Sequence, residues 1–213
     1  MFKSDNYSNY NSRNIFEYFT PTKALFLCLD ALDFMDSKGS PDPKMKIRCC
    51  VHDDNLAEGQ RITQDISSYI PIGKFLVLTH DILSGNAMKR RRIAEQAGNE
   101  YPCYFEHYGG TKKQEIISTK FSLVNGSGMQ SSFAFLMTSG PGKTTKTGGI
   151  IPIAKSDTQV NDAVCKKIYV ALPDEKLKEF CLIGQAYVEQ FIALDLQTRL
   201  SLVRKQRQSY NNP

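Results

Sequence analysis

The period of the residue pattern changes twice along the chain, each time after a series of short alternating segments, and this limits the folds open to it. In KMKIRCCV, Met45, Ile47, Cys49 and Val51 alternate with Lys46, Arg48 and Cys50. That is the period-2 mark of a half-buried strand, here with a basic outer face. QRITQDISSYI alternates Ile62, Ile66 and Ile70 against Thr63, Asp65, Ser67 and Tyr69. TKALFLCLDALDF reads as a strand, with a helix left open by its continuous apolar run, and KFLVLT completes a set of four. The connectors DSKGSPDPK, DDNLAEGQ and PIG are rich in turn formers. After Leu78 the period lengthens: Thr79-His80-Asp81 or Ser84-Gly85-Asn86 caps a helix through AMKRRRIAEQA, closed by Gly98.

The second half repeats the plan. YPCYFEHYGG, EIISTKFSLVNGSG, SSFAFLMTSGPG and KKIYVALP are strand candidates, and a long helical pattern follows from Asp174. In it Leu177, Phe180, Gly184, Tyr187, Val188, Phe191 and Leu194 recur at three- and four-residue steps. Pro173 suits the first turn, and Asp174-Glu175 suit the helix dipole there. Laying LVLTHDIL (76–83) over VALPDEKL (170–177) aligns the two strand-to-helix junctions at a spacing of roughly 94 residues, too long for a solenoid repeat and suited to a duplicated half-domain. The expected fold class is α+β: duplicated β-β-β-β-α units forming two antiparallel sheets packed on two helices. The expected organisation is a flexible polar arm at 1–19, a first half at 20–98, a second half of the same domain at 99–196, and a basic C-terminal tail at 197–213.

A duplicated unit of this size resembles the Whirly family over about residues 20–196, and its single copy resembles the related positive-cofactor-four fold. The resemblance is one of layout; the family motif KGKAAL is absent, and IGKFLVL at 72–78 is a faint echo of it. It implies two four-stranded blades splayed from a helical hub, with single-stranded nucleic acid bound along the sheet faces and blade edges. It also implies a homo-oligomer, typically a tetramer.

The residues support that function independently. Single strands are held by cationic grooves that track phosphates and by rings on which bases stack. In YPCYFEHYGGTKK, Tyr104 and Tyr108 fall opposite Cys103 and Phe105, with Lys112 and Lys113 at the adjoining turn. Lys46, Arg48, Lys74, Lys120, Lys143 and Lys146 are the further phosphate candidates. For each lysine the plain alternative is a solvated surface charge, and for the tyrosines a sheet cover. The net charge of +5 is a weak pointer to an anionic partner, but it is unevenly spread: Lys143 and Lys146 have no acidic neighbour between Thr138 and Ile153, and in RLSLVRKQRQ the basic residues Arg199, Arg204, Lys205 and Arg207 are likewise unopposed.

Other chemistry is set aside on the same grounds. SGPGKTTKTGG is not a Walker loop, because Met137 stands where the first glycine is required and no helical pattern follows; it reads as a basic hairpin tip. His52-Asp53 and His80-Asp81, with only His107 beside them, are too few for a metal phosphohydrolase and read as turn and cap residues. The six cysteines lie mostly in apolar runs without a C-x-x-C spacing, so buried free thiols in a reducing compartment are expected, with no metal, cofactor or catalytic residue. KRRR at 89–92 reads as the wet flank of a helix that also contacts phosphates, with nuclear import as the alternative. No stretch approaches the roughly 18 apolar residues of a membrane span, and MFKSDNYSNYNSRN lacks the apolar core of an export signal. The resulting expectation is a cytoplasmic, non-enzymatic protein binding single-stranded DNA with low sequence specificity, in DNA processing, replication or transfer of a bacterial or mobile-element kind. RNA binding by the same fold, and a structural or oligomerisation protein without nucleic-acid activity, stay open beside it.

Overall fold

The computed structural model describes residues 14–30, 42–112, 115–127, 130–153 and 165–211. Strands β1 (Asn14–Phe19), β2 (Lys23–Asp30), β3 (Lys44–His52) and β4 (Ile62–Pro71) form an antiparallel sheet in sequential order. Helices α1 (Ile72–Leu83) and α2 (Asn86–Gln96) follow. The second sheet is built from β5 (Cys103–Lys112), β6 (Ile116–Asn125), β7 (Phe133–Thr144), β8 (Ile150–Pro152) and β9 (Lys166–Leu172), and α3 (Asp174–Asn211) ends the chain. Along β7, residues 133–139 pair with β9 and residues 142–144 with the short β8. Two antiparallel sheets, each leading into helix, are the α+β layout expected from the doubled pattern.

One apolar core joins both sheets to the helices, and Phe180 of α3 stands at its centre. Its ring meets Phe16 of β1 at 5.5 Å, Phe75 of α1 at 5.9 Å and Phe135 of β7 at 5.0 Å between centroids, all edge-on. Gly184, one turn later, lets α1 approach: a Cβ there would stand 2.5 Å from Cζ of Phe75. Gln185 adds a polar tie across the same crossing, donating from Nε2 to Thr79 Oγ1 at 3.0 Å. The sheets also cover one another's edges. Lys23 of β2 donates to the Tyr169 carbonyl on β9 at 2.8 Å, and the His107 ring of β5 meets the Tyr69 carbonyl on β4 at 3.0 Å. Edge carbonyls that would otherwise invite another strand are thereby occupied.

Several local expectations are corrected. KFLVLT is not the fourth strand but the opening of α1. Phe75, Leu78 and Thr79 are buried at helical spacing while Val77 is exposed, so the run is one helical face rather than an alternating ladder. Pro71 lacks the N–H to extend the ladder and marks the change. The missing strand is β1, whose Phe16 faces the core, inside the stretch read as a polar arm. Because α1 begins at Ile72 and α3 at Asp174, the equivalent junctions lie further apart than the superposition had them. Pro173 precedes α3 rather than lying in its first turn, its carbonyl accepting from Leu177 N–H at 2.9 Å. Residues 197–211 continue α3 instead of forming a separate tail. The limits of α2 are as expected: Gly85 (φ 78°) precedes it and Gly98 (φ 67°) follows, both left-handed.

Candidate nucleic-acid interface

Strand alternation gives each sheet an inner face in the core and an outer face. On the second sheet, Tyr108 of β5, Lys120 of β6, Thr138 of β7 and Lys167 of β9 are directly paired across four strands on the outer face. At about 4.8 Å per strand this row spans roughly 14 Å. The Lys120 ammonium lies 5.1 Å from the Tyr108 ring centroid and 2.7 Å from Glu106 Oε2. Burial alone would lower the Lys120 pKa, but hydrogen bonds to Glu106 and Tyr108 outweigh it and hold it above the ordinary lysine value. Two residues along, Tyr169 continues the face, with Lys23 Nζ 5.9 Å from its ring centroid.

The first sheet offers a smaller version. Lys46 of β3 lies beside Tyr69 of β4 with its ammonium 5.4 Å from the ring centroid. Arg48, on the same face, is 5.7 Å from the Phe26 ring and bonds Asp65 through two nitrogens at 2.7 to 3.0 Å. Ala24, Phe26 and Cys50 are buried here too, so this face is partly apolar.

The remaining sequence candidates are distributed differently. Tyr104 was expected on the outer face; an irregularity between Cys103 and Phe105 turns it inward, where it is 9% exposed, packs on Phe133 at 5.4 Å and donates to Asn125 Oδ1 at 2.6 Å. Lys74 lies exposed in the first turn of α1, not on a strand. Lys112 is exposed at the end of β5, and Lys143 and Lys146 are exposed at the end of β7 and in its turn to β8. Lys113 lies outside the described residues. Sequence reading missed Lys23, Tyr69, Lys167 and Tyr169 as site residues, although alternation in KKIYVAL already set Lys167 and Tyr169 opposite Ile168 and Val170.

KRRR is divided between two roles. Arg90 bonds Asp81 at 2.8 Å and the Tyr104 carbonyl at 3.3 Å, and Arg91 bonds Glu95 at 2.7 Å and the Ser132 carbonyl. These two clamp α2 to α1 and to the second sheet, while Lys89 and Arg92 are exposed. The histidine–aspartate pairs are occupied structurally. The His52 ring bonds the Thr20 carbonyl at 3.1 Å, and Asp53 accepts from Asn55 N–H at 2.9 Å. Asp81 is the partner of Arg90. No group of three potential metal ligands occurs among the described residues. Cys28, Cys49, Cys50 and Cys181 are buried free thiols, but Cys103 and Cys165 are exposed. Burial, with Asp65 adding to it, pushes the Cys50 thiol up to about 12, and burial does the same for Cys181. A concavity of about 640 Å³ at one end of the second sheet is lined by Ile116, Ile117, Pro141 and Ile153 together with the charged residues Asp65, Glu115 and Lys166. No described helix is long and apolar enough to cross a membrane.

No family model and no curated protein matches the sequence. Among solved structures the chain is similar to the plant transcriptional regulator PBF-2 at 9% identity, over 88% of this chain and 86% of that one, with a TM-score of 0.48. It is also similar to WHY1 from Arabidopsis thaliana at 7% identity, over 85% of this chain and 92% of that one, with a TM-score of 0.43.

Proposed function

We propose that the chain is a non-enzymatic, cytoplasmic protein that binds single-stranded nucleic acid, in particular single-stranded DNA with low sequence preference, in DNA processing, replication or transfer. The observation that carries this reading is the tyrosine–lysine row across the second sheet, Tyr108–Lys120–Thr138–Lys167. A ring supplies a stacking surface that accepts any base, and neighbouring ammonium groups meet the phosphates. Tyr169 and Lys23 extend the surface, and Lys46 with Tyr69 repeats its chemistry on the first sheet. Lys112, Lys143 and Lys146 add exposed charge at the end of the second sheet.

The test is fluorescence anisotropy with a labelled oligothymidine at two salt concentrations. Affinity should fall steeply with salt, and Lys167→Ala should flatten the log–log slope by about 0.7, the increment for one phosphate contact on a single strand. An absence of binding at low salt would overturn the reading. A uridine oligomer bound more tightly than the thymidine one would reassign the natural ligand to RNA.

A further inference from the structure

We propose that His107 is a positioning residue for nucleic acid, a neutral latch that holds the edges of the two sheets together and releases them when it takes up a proton. The inference rests on the binding function proposed above. His107 joins the two candidate surfaces: its ring meets the Tyr69 carbonyl at 3.0 Å, and its neighbour in β5 is Tyr108. Tyr69 belongs with Lys46 to the face of the first sheet, and Tyr108 opens the row on the second. β4 and β5 are each an edge strand of their sheet, so a polynucleotide passing from one face to the other crosses this seam.

The chemistry of the contact makes it sensitive to pH. A carbonyl oxygen only accepts, so the neutral ring carries its proton on Nε2 and a lone pair on Nδ1. The ring is 8% exposed, and Nδ1 has no partner among the described residues. A second proton therefore puts a charge and an unsatisfied N–H inside the seam. The charged groups that act on it are Lys44 of β3, itself paired with Asp42, and Lys74 of α1, and both repel the cation. β6 sets Phe121 opposite His107, Glu106 and Lys120 meet on the outer face, and Arg90 of α2 reaches β5 at Tyr104. Ser68, next to Tyr69, is also buried with its hydroxyl unpartnered among the described residues, so little polar bonding is lost when the sheets part here. A neutral hydrogen bond favours the closed seam by about fivefold. With the freed ring at its ordinary pKa of about 6.5, the open form gains about tenfold per pH unit below that value.

The test is fluorescence anisotropy with labelled oligothymidines of about 4 and about 16 nucleotides, the first confined to one face and the second long enough for both. Affinities are read from about pH 7.5 to about pH 5.5, with circular dichroism confirming the fold at each step. The longer strand should bind about threefold more weakly at the lower pH, as the closed fraction falls, while the shorter changes little. His107→Gln keeps an amide N–H for the Tyr69 carbonyl and takes up no proton, so it should hold the longer strand equally well at both pH values. His107→Leu lacks the donor and should bind the longer strand weakly at both. A longer strand bound more tightly as pH falls, equal pH profiles for the two strands, or a His107→Gln variant with the parent's profile would each overturn the proposal and leave the binding function standing. Failure of both strands to bind at about pH 7.5 would overturn the binding function, and the proposal with it.

Discussion

Gly184→Ala is expected to destabilise the protein even though alanine is the better helix former. In the interior of a helix the exchange alone would stabilise by about 1 kcal/mol. Against this stands the crossing with α1: the new Cβ would lie 2.5 and 2.7 Å from Cζ and Cε1 of Phe75 and 3.1 Å from Cδ2 of Leu27. Both neighbours are fully buried, and the Phe75 ring is held edge-on by Phe180, so neither has open space to swing into. Overpacking of this kind costs about 1 to 3 kcal/mol. The expected net loss is therefore up to about 2 kcal/mol, or up to roughly 8 °C in Tm for a chain of this size. Urea and thermal unfolding followed by circular dichroism measure it. Phe75→Leu removes the two ring atoms that collide, so Gly184→Ala should cost little or nothing when added to that background. A Gly184→Ala variant more stable than the parent would refute the reasoning, because it would mean that α1 and α3 do not meet as closely as the core requires.

Further outcomes follow from the seam between the sheets and from the placement of the tyrosines. Burial holds His107 below the ordinary imidazole pKa, with the Tyr69 carbonyl opposing and Lys74 and Lys44 adding repulsion. The unfolded chain then takes up the proton first, so the stability is intact above about pH 6.5 and is lost as pH falls below it; His107→Gln should flatten the decline in urea midpoint between about pH 7.5 and 5.5. Tyr108→Ala should weaken oligothymidine binding about tenfold with little change in salt slope, whereas Tyr104→Ala should cost about 3 kcal/mol in stability and leave the affinity of the folded protein unchanged. Asp174→Ala, which removes two 2.7 Å bonds to the backbone and hydroxyl of Ser132 at the start of α3, should lower stability by about 2 kcal/mol in urea titrations.

The sequence was most legible where one face of an element is buried and the other wet. KMKIRCCV alternates because β3 packs one face on the core, with Met45, Ile47 and Cys49 inside and Lys46 and Arg48 outside. KFLVLT was not legible because six residues of a buried helix and of a buried strand contain the same letters; only its last residue, Thr79, and the later Ile82, at helical spacing from Phe75 and Leu78, separate them. NIFEYF was hidden by the polar, tyrosine-rich residues before it. The interface was readable to the extent that alternation was regular. Tyr108 emerged on the face opposite Phe105 as expected, with Lys120 beside it, while Tyr104 did not, because a one-residue irregularity reverses the face of every residue beyond it and leaves no mark in composition. Lys23 and Tyr169 meet only through the packing of two sheets, a relation that no local window contains.

The carboxylates on the outer faces limit how strongly these faces can hold a polyanion, and this can be measured at one residue. Lys120 is the central cation of the row on the second sheet, yet its ammonium is 2.7 Å from Glu106, so much of its charge is cancelled locally. Arg48 is in the same position against Asp65. A phosphate approaching Lys120 must displace that carboxylate or share the ammonium with it, and a cation already neutralised by the protein releases little counterion on binding. Glu106→Gln removes the negative charge and keeps a hydrogen-bonding group of the same shape beside Lys120 and Tyr108. The expected result is tighter binding to oligothymidine at low salt, with a log–log salt slope steeper by up to about 0.7, the increment for one further phosphate contact on a single strand. Lys120→Ala added to Glu106→Gln should abolish the gain. If Glu106→Gln leaves both affinity and slope unchanged, the phosphates do not pass over this row, and the ligand must be sought on another face of the molecule.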